Sequence, residues 1–160
     1  RMSEGVAKTK CAKWIDRDRK KGDDFLKDLP HCPCSEDEAK QSGNWKADAA
    51  PPQWYHPGCE ACYRAPSNSK PNVFGQGAGQ QCCYRSGKLI NNGPGAGTPD
   101  RTYPRPGGYA KHWIDDVRSF EICKKAGMLD EYFKRRPPNK GKDKGGNACP
   151  EFTVIVIEIP

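Results

Sequence analysis

Cysteine is the residue that most limits what this chain can become. Nine occur in 160 residues, at Cys11, Cys32, Cys34, Cys59, Cys62, Cys82, Cys83, Cys123 and Cys149, spread along nearly the whole sequence. Only 34% of the residues are hydrophobic, so apolar burial alone is a weak source of stability at this length. With 17 Gly and 15 Pro, the pattern is that of a loop-rich extracellular domain stapled by disulfides rather than of a reduced, zinc-binding one. Nine is odd, which leaves one thiol free, bound to another chain, or paired beyond this sequence. Spacing does not give connectivity, since eight cysteines alone allow on the order of 100 pairings.

The net charge of +7 (27 basic minus 20 acidic) is moderate. Bases and acids alternate in Asp16-Arg-Asp-Arg-Lys-Lys-Gly-Asp-Asp24, which reads as a solvated helix face and argues against a nucleic-acid stripe. The one concentrated basic run is Lys134 to Lys144, read as an exposed loop, with a contact to an anionic polymer or phosphate as the alternative. The longest apolar run, Phe152 to Ile157, falls far below the roughly 18 residues that span a bilayer. The chain opens at Arg1 and shows no signal peptide, which reads as a piece of a longer precursor.

Local signals place the elements. Cys11, Trp14 and Ile15 are helically spaced, and Phe25, Leu26 and Leu29 continue the apolar stripe past a break near Gly22 to Pro30. Ser35-Glu-Asp-Glu-Ala39 has the form of a helix N-cap with acids in its first turn. Residues 45–63 read as extended and turn-rich. Gln81 to Arg85 and Lys88 to Ile90 are strands joined by Ser86-Gly87. Residues 112–123 suit a strand or a helix equally, Ala126 to Arg135 is a short helix stopped by Pro137-Pro138, and Phe152 to Ile159 is strongly β-prone. Trp14, Trp45 and Trp113 are expected in the core. The expected class is a small α+β, loop-rich, disulfide-stapled fold with short antiparallel strands and two or three short helices. Its organisation is one domain over 1–150 with a tail at 151–160 that pairs within the domain or starts another.

Gly75-x-Gly-x-Gly79 and Gly93-x-Gly-x-Gly97 fit neither the dinucleotide fingerprint nor the P-loop, so they read as turns beside crowded cysteines. Cys59-Glu-Ala-Cys62 has zinc-like spacing, with His31, Cys32, Cys34 and His56 as remaining donors, but no second motif completes it; no metal and no cofactor is expected. Acid–base chemistry would fall to His56 or His112 with Asp115 or Asp116. Lys21-Gly-Asp23 has the form of an integrin-binding tripeptide.

Several segments together carry a family likeness: Cys11-Ala-Lys-Trp14, Leu29-Pro-His-Cys-Pro-Cys34, Trp45, Tyr55-His-Pro-Gly58 with Cys62-Tyr-Arg64, and Gly77-Ala-Gly-Gln-Gln-Cys-Cys-Tyr84. Gly95-Ala-Gly-Thr-Pro-Asp100, His112, Asp116-Val117, Ser119-Phe120, Cys123, Tyr132 and Arg136-Pro-Pro-Asn139 follow in order. Over residues 11 to 149 the chain resembles the AMOP domain, an extracellular adhesion-associated module of a membrane mucin, isthmins and sushi-domain surface proteins. The resemblance implies structural disulfides through Cys11, Cys32, Cys34, Cys62, Cys82, Cys83, Cys123 and Cys149. It also implies a secreted or cell-surface setting and adhesion or receptor binding instead of catalysis.

Cys59 departs from the family pattern, which has a small residue there, and is the candidate odd thiol, leaving room for an intermolecular disulfide. No Asn-x-Ser/Thr glycosylation acceptor is present, a departure that leans toward a microbial relative. The expected partner is a cell-surface protein or glycoprotein receptor, with nucleic acid and membrane insertion disfavoured. Contacts are assigned to Trp54, Tyr55, Tyr103, Tyr109, Lys134, Arg135 and Arg136, because aromatic and arginine side chains dominate interface energetics. The alternative is a secreted effector, toxin or hydrolase domain acting on nucleic acid or cell-wall material.

Overall fold

The computed structural model describes residues 2–49 and 52–157. The expectations that touch Ala50, Pro51 and 158–160 therefore lie outside the described residues. Two units are formed, one from Arg1–Leu29, Ser67–Ala78 and Asp100–Pro137, the other from Pro30–Pro66, Gly79–Pro99 and Pro138–Pro160.

The first unit is helical. Helix α1 (Glu4–Lys21) starts where the Ser3 side chain accepts from the Val6 N–H, carries Glu4 in its first turn and Arg19, Lys20 and Lys21 in its last, and ends at Gly22, whose φ of +83° turns the chain away. Ala7, Cys11, Trp14 and Asp18 form its buried stripe, at the three- and four-residue steps of one helix face. A 3-10 turn, Asp24–Leu26, follows.

Residues 112–123, equally strand or helix on sequence, are helical. Helix α3 (Tyr109–His112) runs through a π-helical stretch (Trp113–Arg118) into α4 (Ser119–Lys125), and α5 (Leu129–Arg135) comes after. Phe120 and Cys123 share a face, which lets Cys123 bond Cys11 of α1. Trp14 stacks on Tyr132 at 5.3 Å between ring centroids, and Phe120 meets Tyr132 edge-on at 5.5 Å. Each such buried aromatic contributes about 1.5–3 kcal/mol through apolar burial.

Trp113, expected in the core, is instead 50% exposed. The inward side of the π stretch is occupied by Asp115 and Asp116, which take hydrogen bonds there and leave Trp113 and Ile114 facing out.

The second unit holds a four-stranded antiparallel sheet in the order β1 (Lys46–Ala47), β2 (Ala61–Pro66), β3 (Gly79–Arg85), β4 (Lys88–Ile90), with α2 (Glu36–Gln41) beside it. Ser35 caps α2 through the Glu38 N–H. Ser86 and Gly87 both have positive φ (51° and 75°), the requirement of a two-residue turn whose twist matches its strands. Successive side chains alternate between faces. Tyr63, Cys82, Tyr84 and Leu89 therefore join Cys32, Ala39 and Cys149 in one core cluster, while Cys62, Cys83 and Ile90 join Cys59 and Ala96 in another. Trp45 is partly buried against the first of these.

The second glycine triplet packs on this sheet. A Cβ on Gly97 would overlap the Gln81 carbonyl of β3, and one on Gly95 would sit 2.8 Å from the Pro57 oxygen.

The chain is thus a small α+β, disulfide-stapled fold with five α-helices among the described residues, the first of them 18 residues long. In the β-prone tail, the Asn91 N–H donates to the Phe152 carbonyl, the Phe152 N–H donates to the Asn91 side-chain Oδ1, and Thr153 forms a single parallel bridge with Asn92. Ile155, Val156 and Ile157 beyond it are exposed.

Candidate functional site

The helical unit is organised around buried ions. Asp18, on the solvated face expected from the charge pattern, is 2% exposed. It accepts from Arg101 Nε (2.8 Å), Arg135 Nε (2.9 Å) and both terminal nitrogens of Arg136 (2.8 and 2.9 Å). Burial pushes its carboxyl up, but the hydrogen bonds and charges of Arg136 and Arg101 outweigh that and hold it well below the usual carboxylate range. The missed signal was periodic, because Asp18 continues the stripe of Ala7, Cys11 and Trp14 by one more turn.

Arg136, assigned to binding from sequence, is 0% exposed. All five of its N–H groups have acceptors: Asp18 twice, Asp116 Oδ1 at 3.1 Å, and the Arg135 and Asp115 carbonyls at 3.1 Å each. Its guanidinium also lies 5.0 Å from the Trp14 and Phe25 ring centroids. The role is structural. Arg135 is spent likewise on Asp18 and Asp23.

The acid–base candidates are buried as well. Asp116 accepts from the Arg101 and Thr102 N–H groups (2.8 and 3.1 Å), and Asp115 from the Thr102 hydroxyl and Lys111 Nζ. His112 Nδ1 lies 2.7 Å from the Thr102 carbonyl and 3.1 Å from Asp116. Asp100, His112 and Asp116 bring donor atoms within 4.8 Å of one another, a spacing compatible with a metal ion, but Asp116 is already neutralised by Arg136. In the sheet unit, burial holds the His56 imidazole down at about 4, so it is neutral at physiological pH with Nδ1 3.3 Å from the Pro94 carbonyl.

Four disulfides are present: Cys11–Cys123, Cys32–Cys82, Cys34–Cys149 and Cys62–Cys83. The vicinal pair diverges because Cys82 and Cys83 point to opposite sheet faces, Cys83 directly across from Cys62. Cys59 is free, 1% exposed, and its sulfur lies 3.7 Å from that of Cys62. Burial pushes its thiol up to about 11 and denies a second chain any approach, so the intermolecular bridge that an odd cysteine allowed does not fit.

Of the remaining binding candidates, Trp54 (61%) and Tyr109 (60%) are well exposed, as is Lys134, which pairs with Glu131 at 3.1 Å. Tyr55 and Tyr103 are half-buried, the latter under the Arg105 guanidinium at 4.8 Å. In the Lys21-Gly-Asp23 tripeptide, Lys21 pairs with Asp115 at 3.5 Å and Asp23 with Arg135 at 2.6 Å, so neither charge is spare.

The family model of the AMOP domain matches residues 6–144 of the 160. The chain belongs to the AMOP domain family. The AMOP domain is an extracellular, adhesion-associated domain, a setting that suits the four disulfides here. No helix among the described residues of this AMOP domain is long and apolar enough to cross a membrane. No solved structure matches it.

Proposed function

We infer that this AMOP domain is a non-catalytic module, secreted or displayed at a cell surface, that binds a protein or glycoprotein receptor through side chains held on its stapled scaffold. The observation that carries this reading is a division of labour. His56, His112, Asp115 and Asp116 are 3%, 8%, 3% and 7% exposed and occupied by internal hydrogen bonds, while Trp54, Tyr109 and Trp113 are at least half exposed. A general acid or base must reach its substrate, whereas exposed aromatics on a rigid frame are what an interface uses. Residues 1–150 act as one module on this reading, since each unit is assembled from three separate stretches of chain and neither is a contiguous segment.

Labelled domain added to cells tests the reading. Saturable binding that survives His56→Gln and His112→Gln in folded protein, and that disappears when the disulfides are reduced, is the expected result. Turnover of a polymer substrate that either histidine variant abolishes would overturn it in favour of a secreted hydrolase.

A further inference from the structure

A groove runs between α1 and the helix carrying the π stretch and α4. Its volume is about 300 Å³, and it is lined by Lys10, Lys13 and Arg17 from one wall and Arg118 from the other, with no acidic residue among the lining. The cations fall at positions 10, 13 and 17 of α1, a single face, and none of the four makes an ion pair among the described residues. Between them the lining is apolar: Ile114 is 53% exposed, Ile122 is half-buried, and Trp14 lies at the floor. A second depression of about 420 Å³ shares Arg118 and Ile122 and adds Trp113, Lys125 and a single acid, Glu121. The Cys11–Cys123 bridge joins the two walls covalently, so little ordering entropy is lost when the groove is filled.

We propose that this groove receives a short acidic segment of a partner protein, its carboxylates on Lys10, Lys13, Arg17 and Arg118 and an aliphatic or aromatic side chain between Ile114 and Ile122. The proposal rests on the receptor-binding reading and names the partner's chemistry. Unpaired cations call for an anionic ligand. The concave apolar strip between them distinguishes among anions. A sulfated polysaccharide has nothing to place there, and an anionic bilayer cannot follow a groove between two helices. A peptide with acids flanking an apolar anchor satisfies both halves, in the way an apolar anchor and surrounding charges divide labour at protein interfaces.

The test uses a fluorescein-labelled glutamate-rich peptide bearing one tryptophan and one leucine, with fluorescence anisotropy as readout. Binding is expected to weaken with added salt, to fall about tenfold or more in Lys13→Glu/Arg118→Glu, and to fall several-fold in Ile114→Ser. These side chains are exposed, so unchanged thermal unfolding will verify that the variants are folded. A peptide with serine in place of its tryptophan and leucine should bind the wild type less well. Equal binding of the probe by the charge-reversed variant overturns the proposal. So does tighter binding of heparin, or of phosphatidylserine vesicles, that Ile114→Ser leaves untouched. Cell binding by the same variants separates the groove from the receptor-binding module. Cells held equally by wild type and the charge-reversed protein remove the groove but keep the receptor-binding module, whereas cells that do not bind wild type remove both.

Discussion

Two residues show how much local environment decides. Cys59 has a disulfide sulfur 3.7 Å away, yet exchange requires a thiolate, and a thiol held at about 11 is ionised in only about one molecule in ten thousand at pH 7. Raising the pH releases that restraint. The Cys59 thiolate then attacks the Cys62 sulfur, a Cys59–Cys62 bond forms, the Cys62–Cys83 bond breaks, and Cys83 leaves as the thiolate. Acid quenching, alkylation and peptide mapping after incubation at alkaline pH should find Cys83 labelled, and should find none labelled in Cys59→Ala; an unlabelled Cys83 in the wild type would refute this. Arg136 is the second case. Truncating it strands Asp18 and Asp116 without their main counter-charge, so Arg136→Ala is expected to cost about 3–5 kcal/mol in urea unfolding. Arg136→Lys keeps the charge but cannot reproduce five planar donors, and should recover only part of that loss.

At the level of elements, β3 is the strand on which the sheet unit depends, being buried on both faces and bonded through both of its cysteines. Gly97 lies directly on its backbone. Gly97→Ala should therefore destabilise by about 1–3 kcal/mol through overpacking, measured by thermal or urea unfolding. Gly5, which has open space at its Cβ inside α1, should instead gain stability from the same substitution, by about 0.5–1 kcal/mol. A Gly97→Ala protein as stable as wild type would show that the contact with Gln81 relaxes freely. The elements themselves were largely legible. The Ser35 cap, the Ser86-Gly87 turn and the break at Gly22 are short-range signals, readable because their partners lie within a few residues, whereas the helix expected to run on to Pro30 is only a 3-10 turn at Asp24–Leu26. Residues 112–123 were not, because both periodicities were present and only the contacts of Phe120 and Cys123 with α1 and α5 select the helix.

For the whole molecule, acid stability is the property these groups govern together. At neutral pH His56 is uncharged in both folded and unfolded chains. As pH falls below about 6.5 the unfolded chain takes up a proton that the folded chain refuses until about 4, so the unfolded state binds more protons and stability declines across that window. The full effect is on the order of 3 kcal/mol. Asp18 has the opposite chemistry but the same direction, because its depressed carboxyl contributes stability above the ordinary carboxylate value near 3.9 and loses that contribution at more acidic pH. Thermal unfolding from pH 7 to pH 3 should show a fall between about 6.5 and 4 that His56→Gln flattens, followed by a further fall that the variant retains. A flat wild-type profile above pH 4 would rule out a buried neutral His56.

The sequence by itself determined that the chain is disulfide-stapled, that its class is α+β, where α2 and the β3–β4 hairpin fall, and which family it belongs to, because cysteine density, caps, turns and ordered motifs are all properties of neighbouring residues. It also set Cys59 apart, which the structure leaves unpaired. Only the tertiary structure decided which cysteines pair, that Arg136 and Asp18 are buried while Trp113 is not, and that two helices leave a cationic, apolar-floored groove. Those outcomes depend on residues as far apart as Asp18 and Arg136, separated by 118 positions. A charge reads the same in sequence whether it faces water or a counter-charge, and only the fold supplies the counter-charge.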